Sequence, residues 1–254
     1  MPGGEARVTL TAIPAGLEDI KPLRRFFLEQ SDFQIRYEAC HQRGWADYYL
    51  LAYAGKALGY GAIKGQEIGA RDTIFEFFLM PEHRRHESDA FRALIAAAQP
   101  EWVECQSNDF GLFSMLCRFG KSIAADSVLF AANAQTQLKN PGIAFRKRRE
   151  HDAVFEHRSE PIGDWVLDQD GRVVATGGFF THYNAPYVDL YMEVDPAWRR
   201  RGLGSFLLQE VQKECRRTGY VPAARCGIDN EASMATLRRA GLEVCGFMLK
   251  GSYG

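Results

Sequence analysis

The sequence predicts an α/β protein that consists of two copies of one unit in tandem. Both halves show the same signals in the same order: two strands around a turn, a strand stopped by a proline, an amphipathic helix, a short strand and a helix that ends at a glycine. Matching landmarks are separated by a nearly constant number of residues, between 115 (Pro81 to Pro196) and 121 (Cys105 to Cys226). A regular offset of this kind indicates an internal repeat.

Each copy contains a predicted β-hairpin near its start. Residues 48–63 (YYLLAYAGKALGYGAI) place apolar runs on both sides of a turn expected at Gly55-Lys56. Residues 165–180 (WVLDQDGRVVATGGFF) do the same around Asp170-Gly171, a dipeptide that favours tight turns. Two helical stretches, around residues 20–28 and 35–40, are expected before the first hairpin only.

A polar segment, NAQTQLKNPG at residues 133–142, separates the copies and has the composition of a linker. We therefore expect a first domain at residues 1–132, a linker at residues 133–142 and a second domain at residues 143–254.

The bulk composition is that of an ordinary globular protein, with 46% hydrophobic and 25% charged residues and a formal net charge of -1. A nearly neutral chain argues against nucleic acid or a membrane surface as the main partner, since both favour a basic excess. The amino terminus lacks an apolar signal core, so the expected compartment is the cytoplasm. No metal is expected, because His83 and His86 have no further ligands at a suitable spacing. The oligomeric state is not predicted.

The most specific motif is VDPAWRRRGLGSFLL, residues 194–208, in which Arg199-x-x-Gly202-x-Gly204 leads from a strand into an amphipathic helix. A helix amino terminus offers unpaired N–H groups and a positive dipole end, which together bind phosphate. Glycine lets the backbone approach the phosphate closely. In isolation, the motif would equally suit a tight turn before a solvated basic helix start.

In its context the motif resembles the acetyl-CoA motif of the GNAT superfamily, and DNEASMATLRRAGL (residues 229–242) resembles the second cofactor segment of that family. The resemblance implies a mixed, mostly antiparallel central sheet flanked by helices in each copy, and acetyl-CoA as the co-substrate. Asn230 is equally expected to cap a helix. The implied cofactor-binding residues are Met192, Glu193, Val194, Arg199, Arg200, Arg201, Gly202, Leu203, Gly204, Ser205, Asn230 and Ser233.

The first copy departs from the motif. Its corresponding loop, MPEHRRHESDAF at residues 80–91, aligns Arg84 with Arg199 but places Glu87 and Asp89 where the glycines would be. Carboxylates would repel a pyrophosphate, so the first copy is expected to be degenerate and to bind no cofactor.

The resemblance also suggests where the chemistry takes place. A carboxylate on the strand before the loop is the expected base, which makes Asp189 and Glu193 candidates, and Tyr191 is a candidate acid. Leu237 stands where many family members have a tyrosine that protonates the departing thiolate. His182 and Tyr187 are candidate acceptor-binding residues, and a Pro/Asn turn with exposed aromatic residues is the alternative reading of their segment. Structural, solvated carboxylates are the alternative reading of Asp189 and Glu193.

The sequence therefore predicts an N-acetyltransferase that transfers an acetyl group from acetyl-CoA directly to an amine. A non-catalytic acyl-CoA-binding or regulatory module is the alternative, motivated by Leu237 and the degenerate first copy. A structural partner protein without cofactor is the third possibility.

Overall fold

The computed structural model describes residues 10–30 and 38–253. Helices and strands alternate along the chain. In order they are β1 (Thr11–Ala15), α1 (Leu17–Glu29), α2 (Glu38–Gln42), β2 (Ala46–Tyr53), β3 (Lys56–Lys64), β4 (Thr73–Leu79), α3 (Glu87–Ala98), β5 (Trp102–Gln106), α4 (Phe110–Phe119), β6 (Lys121–Ala132), β7 (Ala144–Lys147), β8 (Trp165–Gln169), β9 (Arg172–Phe180), β10 (Tyr187–Val194), α5 (Leu203–Arg217), β11 (Val221–Gly227), α6 (Glu231–Arg239) and β12 (Leu242–Ser252).

The described residues form two compact units. The first comprises residues 10–30, 39–126 and 247–253, and the second contains residues 127–246. This division differs from the boundaries expected from the sequence, because strand pairing rather than chain order decides which unit a segment joins. The expected linker, residues 133–142, has no helix or strand but hydrogen bonds to α5 of the second unit through Gln209.

The first unit is built on a mixed, mostly antiparallel sheet. Strands β1 to β4 pair antiparallel in chain order, β4 pairs parallel with β5, and residues 248–252 of β12 pair antiparallel with β5. The apolar core packs β3, β4 and β5 against α3 and α4.

The second unit repeats this pattern. Strands β7 to β10 pair antiparallel in chain order, β10 pairs parallel with β11, and residues 127–131 of β6 pair antiparallel with β11. Leu203, Leu207, Leu208 and Val211 of α5 are buried in its core. Each such side chain contributes about 1.5–3 kcal/mol when it is fully buried. The core therefore fixes the start of α5, where the phosphate motif lies.

The predicted hairpins and first helix are present in the structure with small shifts. The second hairpin turns at Asp170 and Gly171, both at positive φ, as predicted. The first turns at Ala54 and Gly55 rather than at Gly55-Lys56, because Lys56 already pairs with Tyr53. The helix expected around residues 20–28 is α1. Of the stretch expected around 35–40, residues 35–37 lie outside the described residues and the remainder belongs to α2.

Within the described ranges, none of the helices combines the length and the apolarity that a membrane span requires.

Candidate active site

A cavity of about 550 Å³ lies in the second unit, where β10 meets the starts of α5 and α6. Among its described lining residues are all of the predicted cofactor-binding residues except Arg201. The remaining lining residues were not predicted from the sequence; they are Ser159, Glu160, Trp198, Ala232, Ala235, Thr236 and Arg239.

The sheet opens beside this cavity. Strands β10 and β11 pair through Tyr187, Val188 and Asp189, and within these two described strands the pairing ends there. Strand β10 nevertheless continues to Val194, in unbroken antiparallel register with β9. The edge of β10 from residue 190 onward is therefore unpaired with β11.

The turn into α5 has the conformation that the motif requires. Gly202 has a φ of 74° and is the N-cap residue of α5, and Arg200 has a φ of 60°. A Cβ on Gly202 would lie 3.4 Å from the guanidinium carbon of Arg239, and one on Gly204 would lie 3.1 Å from Cγ2 of Thr236. Positive φ explains glycine at position 202, and close packing explains it at position 204.

The start of α5 is suited to an anion. Gly202 has no side chain that could accept the first helical N–H groups, and the N–H groups of residues 203–205 have no intrahelical acceptor. Arg199, Arg200 and Arg239 line the same part of the cavity. The helix dipole and the three guanidinium groups all favour negative charge here.

Two of the three motif arginines already have protein partners. Arg199 donates from Nε to the Val194 carbonyl at 3.1 Å and lies 3.8 Å from a Glu193 oxygen. Arg201 stacks its guanidinium 4.5 Å above the Trp198 ring, outside the described lining of the cavity. Arg201 therefore packs on the loop.

The start of α6 forms the opposite side of the cavity. Asn230 accepts the N–H of Ser233 at 3.0 Å and caps α6, so it serves as the expected helix cap and also lines the cavity. Ser205 donates its hydroxyl to the Thr236 carbonyl at 3.1 Å, which joins α5 to α6. The hydroxyl hydrogen of Ser205 is therefore already used within the protein.

The three catalytic candidates lie on one strand face. Asp189, Tyr191 and Glu193 alternate along β10, and the unbroken register with β9 excludes a bulge between them. Met192 and Val194 belong to the opposite face, which packs against the core. The cavity is lined from both faces, by Glu193 on one side and Met192 on the other.

Glu193 is an anchoring group. Its buried carboxylate accepts the backbone N–H groups of Arg158, Ser159 and Glu160 at 3.1 Å each. Burial alone would raise the pKa of Glu193, but these three N–H donors and His157 outweigh it and hold the pKa below its ordinary value. The group therefore stays ionised, and its acceptor capacity is largely used.

The other predicted residues lie farther along the same face. Asp189 is 9% exposed, and one of its oxygens is 3.1 Å from Nε2 of His182. Tyr191 stacks on Phe180 with ring centroids 4.4 Å apart. Burial, followed by the charges of nearby carboxylates, raises the pKa of Tyr191. The described lining of the cavity does not include four of the predicted residues, which are Asp189, Tyr191, His182 and Tyr187.

Glu160 is the carboxylate that the sequence analysis missed. It lines the cavity, and burial raises its pKa, reinforced by the charges of Asp189 and Glu193. Glu160 lies in the irregular segment between β7 and β8, and its position depends on hydrogen bonds to Glu193, a contact that no local pattern encodes. Leu237, by contrast, is 4% exposed and belongs to the apolar core.

The first unit also has a cavity at the starts of its two carboxyl-terminal helices, α3 and α4, with a different lining. Asp109 caps α4 through the Leu112 N–H, as Asn230 caps α6. A cavity of about 420 Å³ is lined by Arg84 and Glu87 at the start of α3. Asp89 instead pairs with Arg92 in an exposed position. Of the two carboxylates that replace glycines, Glu87 is the one at the cavity.

Comparison with known structures gives the same fold. An acetyltransferase of the GNAT family from Colwellia psychrerythraea has a TM-score of 0.72 at 12% identity, over 97% of this chain and 100% of that chain. A tandem GNAT protein from the clavulanic acid biosynthesis pathway has a TM-score of 0.60 at 12% identity, over 96% and 99% of the chains. A GCN5-related N-acetyltransferase from Sphaerobacter thermophilus has a TM-score of 0.56 at 13% identity, over 96% and 95%.

Comparison with curated protein sequences gave no match. Two family models do match, one for each sequence copy. A GNAT acetyltransferase domain covers residues 17–133, and the acetyltransferase (GNAT) family covers residues 132–242. Together with the fold, these matches show that the chain belongs to the GNAT acetyltransferase family and carries two of its domains in tandem.

Proposed function

We propose that the second copy binds acetyl-CoA in the 550 Å³ cavity and transfers the acetyl group directly to an amine. The observation that carries this proposal is the start of α5. Its unpaired N–H groups follow Gly202 at positive φ and face a cavity lined by three arginines, next to the gap between β10 and β11. The family supplies the reaction class, and the cofactor and the acceptor are our proposal.

The phosphates of acetyl-CoA are placed at the start of α5. Arg199, Arg200 and Arg239 would neutralise them, and the N–H groups of residues 203–205 would donate hydrogen bonds. Arg239 extends the predicted set, since its guanidinium packs beside Gly202. Arg201 is assigned to loop packing through Trp198.

The pantetheine arm is placed in the gap between β10 and β11. The backbone of Met192, Glu193 and Val194 would offer it the hydrogen-bonding groups of a strand edge, with Asn230 and Ser233 on the other side. The Val194 carbonyl already accepts from Arg199, so this bond would have to open if the arm used that carbonyl.

The acceptor is placed on the β10 face that carries Asp189 and Tyr191. Asp189 with His182, and Tyr191 and Tyr187, are proposed to contact the amine and orient it. Glu193 is proposed to position the neighbouring segment, because its carboxylate is already occupied by three N–H groups.

The first copy is proposed to be a scaffold without cofactor. Glu87 lines its cavity at the place where a diphosphate would need an uncharged backbone. We propose that the two sequence copies, residues 1–132 and 143–254, are the two domains, and that residues 133–142 link them. The proposed compartment is the cytoplasm.

Thiol release tests the proposal. The protein is incubated with acetyl-CoA and, separately, butylamine, benzylamine, spermidine and glycinamide. The expected result is amine-dependent release of CoA with at least one of them. Binding of acetyl-CoA without release would instead favour the non-catalytic module, for which the buried Leu237 at the family's tyrosine position is the supporting observation.

A further inference from the structure

Three carboxylates of the second unit are close enough for their charges to interact. Asp189 and Glu193 lie on β10, and Glu160 is close enough that both of their charges raise its pKa. The positive groups that act on Glu160 in the opposite direction are Arg225 of β11 and His157 of its own segment. The charges of Asp189 and Glu193 therefore make it easier for Glu160 to hold a proton.

The three acids differ in what their oxygens contact. Glu193 is occupied by three backbone N–H groups, and Asp189 lies 3.1 Å from His182. Among residues 10–30 and 38–253, the Glu160 carboxylate has neither a hydrogen-bond nor an ion-pair partner. Glu160 and Glu193 both line the cavity, and of these two Glu160 is the one whose carboxylate oxygens are available to a substrate.

The backbone of Glu160 is fixed on both sides. Its N–H donates to Glu193 at 3.1 Å, and its carbonyl accepts from Nδ1 of His157 at 2.8 Å. His157 is itself held, since its Nε2 lies 3.1 Å from the Thr176 hydroxyl. Although Glu160 lies in an irregular segment, its backbone is thereby held in place by Glu193 of β10, and a catalytic side chain requires such a fixed position.

We propose that Glu160 is the base that takes the proton from the ammonium group of the acceptor, and that Glu193 is the residue that positions it. This inference rests on the proposed acetyl transfer. An N–H bond of the ammonium breaks and an O–H bond forms on Glu160, leaving the electron pair on nitrogen. The amine then attacks the thioester carbonyl, so that a C–N bond forms and the C–S bond breaks. A second nitrogen proton goes to the CoA thiolate, and Glu160 releases its proton to water.

The environment of Glu160 suits this task. A base works best when its pKa approaches the pH at which it operates, and burial with the two neighbouring carboxylates raises the pKa of Glu160 above its ordinary 4.5. Glu193, whose pKa is lowered, would be a weaker base.

The test compares Glu160→Gln with three variants, Glu156→Gln, Glu160→Asp and Asp189→Asn, using acetyl-CoA and the best amine among butylamine, benzylamine, spermidine and glycinamide. Glu160→Gln should lower kcat/KM for the amine by about 10²–10³-fold at pH 7 and remove the acidic limb of the pH profile. Its Kd for acetyl-CoA, measured by calorimetry, should stay within about twofold. Glu156→Gln, an exposed position in the same segment, should leave activity unchanged.

The outcomes separate this inference from the proposed function. Glu160→Asp should recover part of the activity, with the acidic limb restored. The assignment would be overturned if Glu160→Gln kept a normal kcat/KM and the acidic limb while Asp189→Asn lost both. Asp189 would then be the base. Wild-type protein that binds acetyl-CoA but uses none of the amines would overturn the proposed transfer, and the assignment of Glu160 with it.

Discussion

The carboxylate of Glu193 accepts the backbone N–H of Glu160 at 3.1 Å, so a residue of β10 fixes a residue that lies more than thirty positions earlier in the chain. The same carboxylate accepts the N–H groups of Arg158 and Ser159. One buried side chain thus joins the motif strand to the irregular segment that completes the cavity.

Replacing this carboxylate should loosen the segment selectively. Glu193→Gln leaves one oxygen for three N–H donors, and an unmet buried donor costs about 1–3 kcal/mol. We expect hydrogen-exchange protection of the Ser159 and Glu160 amides to fall by roughly 30-fold, equal to about 2 kcal/mol. Glu156→Gln is the control. Equal protection in the Glu193 variant and the wild type would show that the carboxylate does not hold the segment.

The same carboxylate predicts a pH dependence of stability. The pKa of Glu193 is lower in the folded protein than its ordinary 4.5, so folding favours the ionised form. Its contribution is complete above pH 4.5 and is lost as the pH falls through the folded pKa. The Tm difference between wild type and Glu193→Gln should therefore be constant from pH 5 to 7, in the range of about 4–8 °C for a loss of about 2 kcal/mol, and should shrink below pH 4.5. A difference that grows on acidification would contradict this account.

A buried ion pair in the first unit should be essential to that unit. Glu76 is fully buried and is held by Arg24 at 3.1 Å, His41 at 3.2 Å and the Tyr60 hydroxyl at 2.8 Å. Arg24→Met would leave the carboxylate without its main cation and should lower the free energy of unfolding by about 3–5 kcal/mol.

Two variants control for this experiment. Arg25→Met, in the next position of α1, removes an exposed pair with Glu29 and should change stability little. The double variant Arg24→Met, Glu76→Leu should lose less stability than Arg24→Met alone, because no uncompensated charge remains. Similar denaturation midpoints for Arg24→Met and Arg25→Met would mean that the buried pair contributes nothing.

Arg239 should contribute to cofactor binding although it lies outside the arginine motif. Its guanidinium packs beside Gly202 and lines the cavity. Arg239→Met should weaken acetyl-CoA binding by about tenfold, or about 1.4 kcal/mol. Arg238→Met changes an exposed neighbour on the same helix and should stay within about twofold of wild type. The reverse order of the two effects would remove Arg239 from the proposed phosphate site.

Most helices, strands and turns could be predicted from the sequence because their signals lie in neighbouring residues, and the repeat was visible because the same signals recur in both halves. The Asp170-Gly171 turn and the glycine motif before α5 are examples, since their backbone angles follow from residue type. The closing strands of both sheets could not be predicted in this way. Residues 248–252 pair with β5 and residues 127–131 with β11, and such pairings depend on contacts between segments that are distant in sequence.

In the candidate site, too, the residues that depend on local patterns were predicted and those that depend on distant contacts were not. The cavity residues from Gly202 to Ser205 were predicted because motif and helix start coincide. Glu160 was not predicted because its place is determined by the hydrogen bond that its backbone N–H donates to Glu193, and not by a pattern in its own segment. Glu193 was predicted on the correct strand, but its carboxylate is turned toward the three N–H groups, which the strand pattern alone does not reveal.

Calorimetric titration with acetyl-CoA tests the central claim most directly. Wild type is compared with a Gly202→Glu, Gly204→Asp double variant, which copies the acids of the first copy, and with Gly219→Asp, a glycine at a φ of 84° with open space around it. The account predicts binding by wild type and Gly219→Asp, and affinity weakened by at least about 100-fold, or about 2.7 kcal/mol, in the folded double variant. Equal binding by the double variant, or no binding by folded wild type, would contradict the assignment of this cavity to acetyl-CoA.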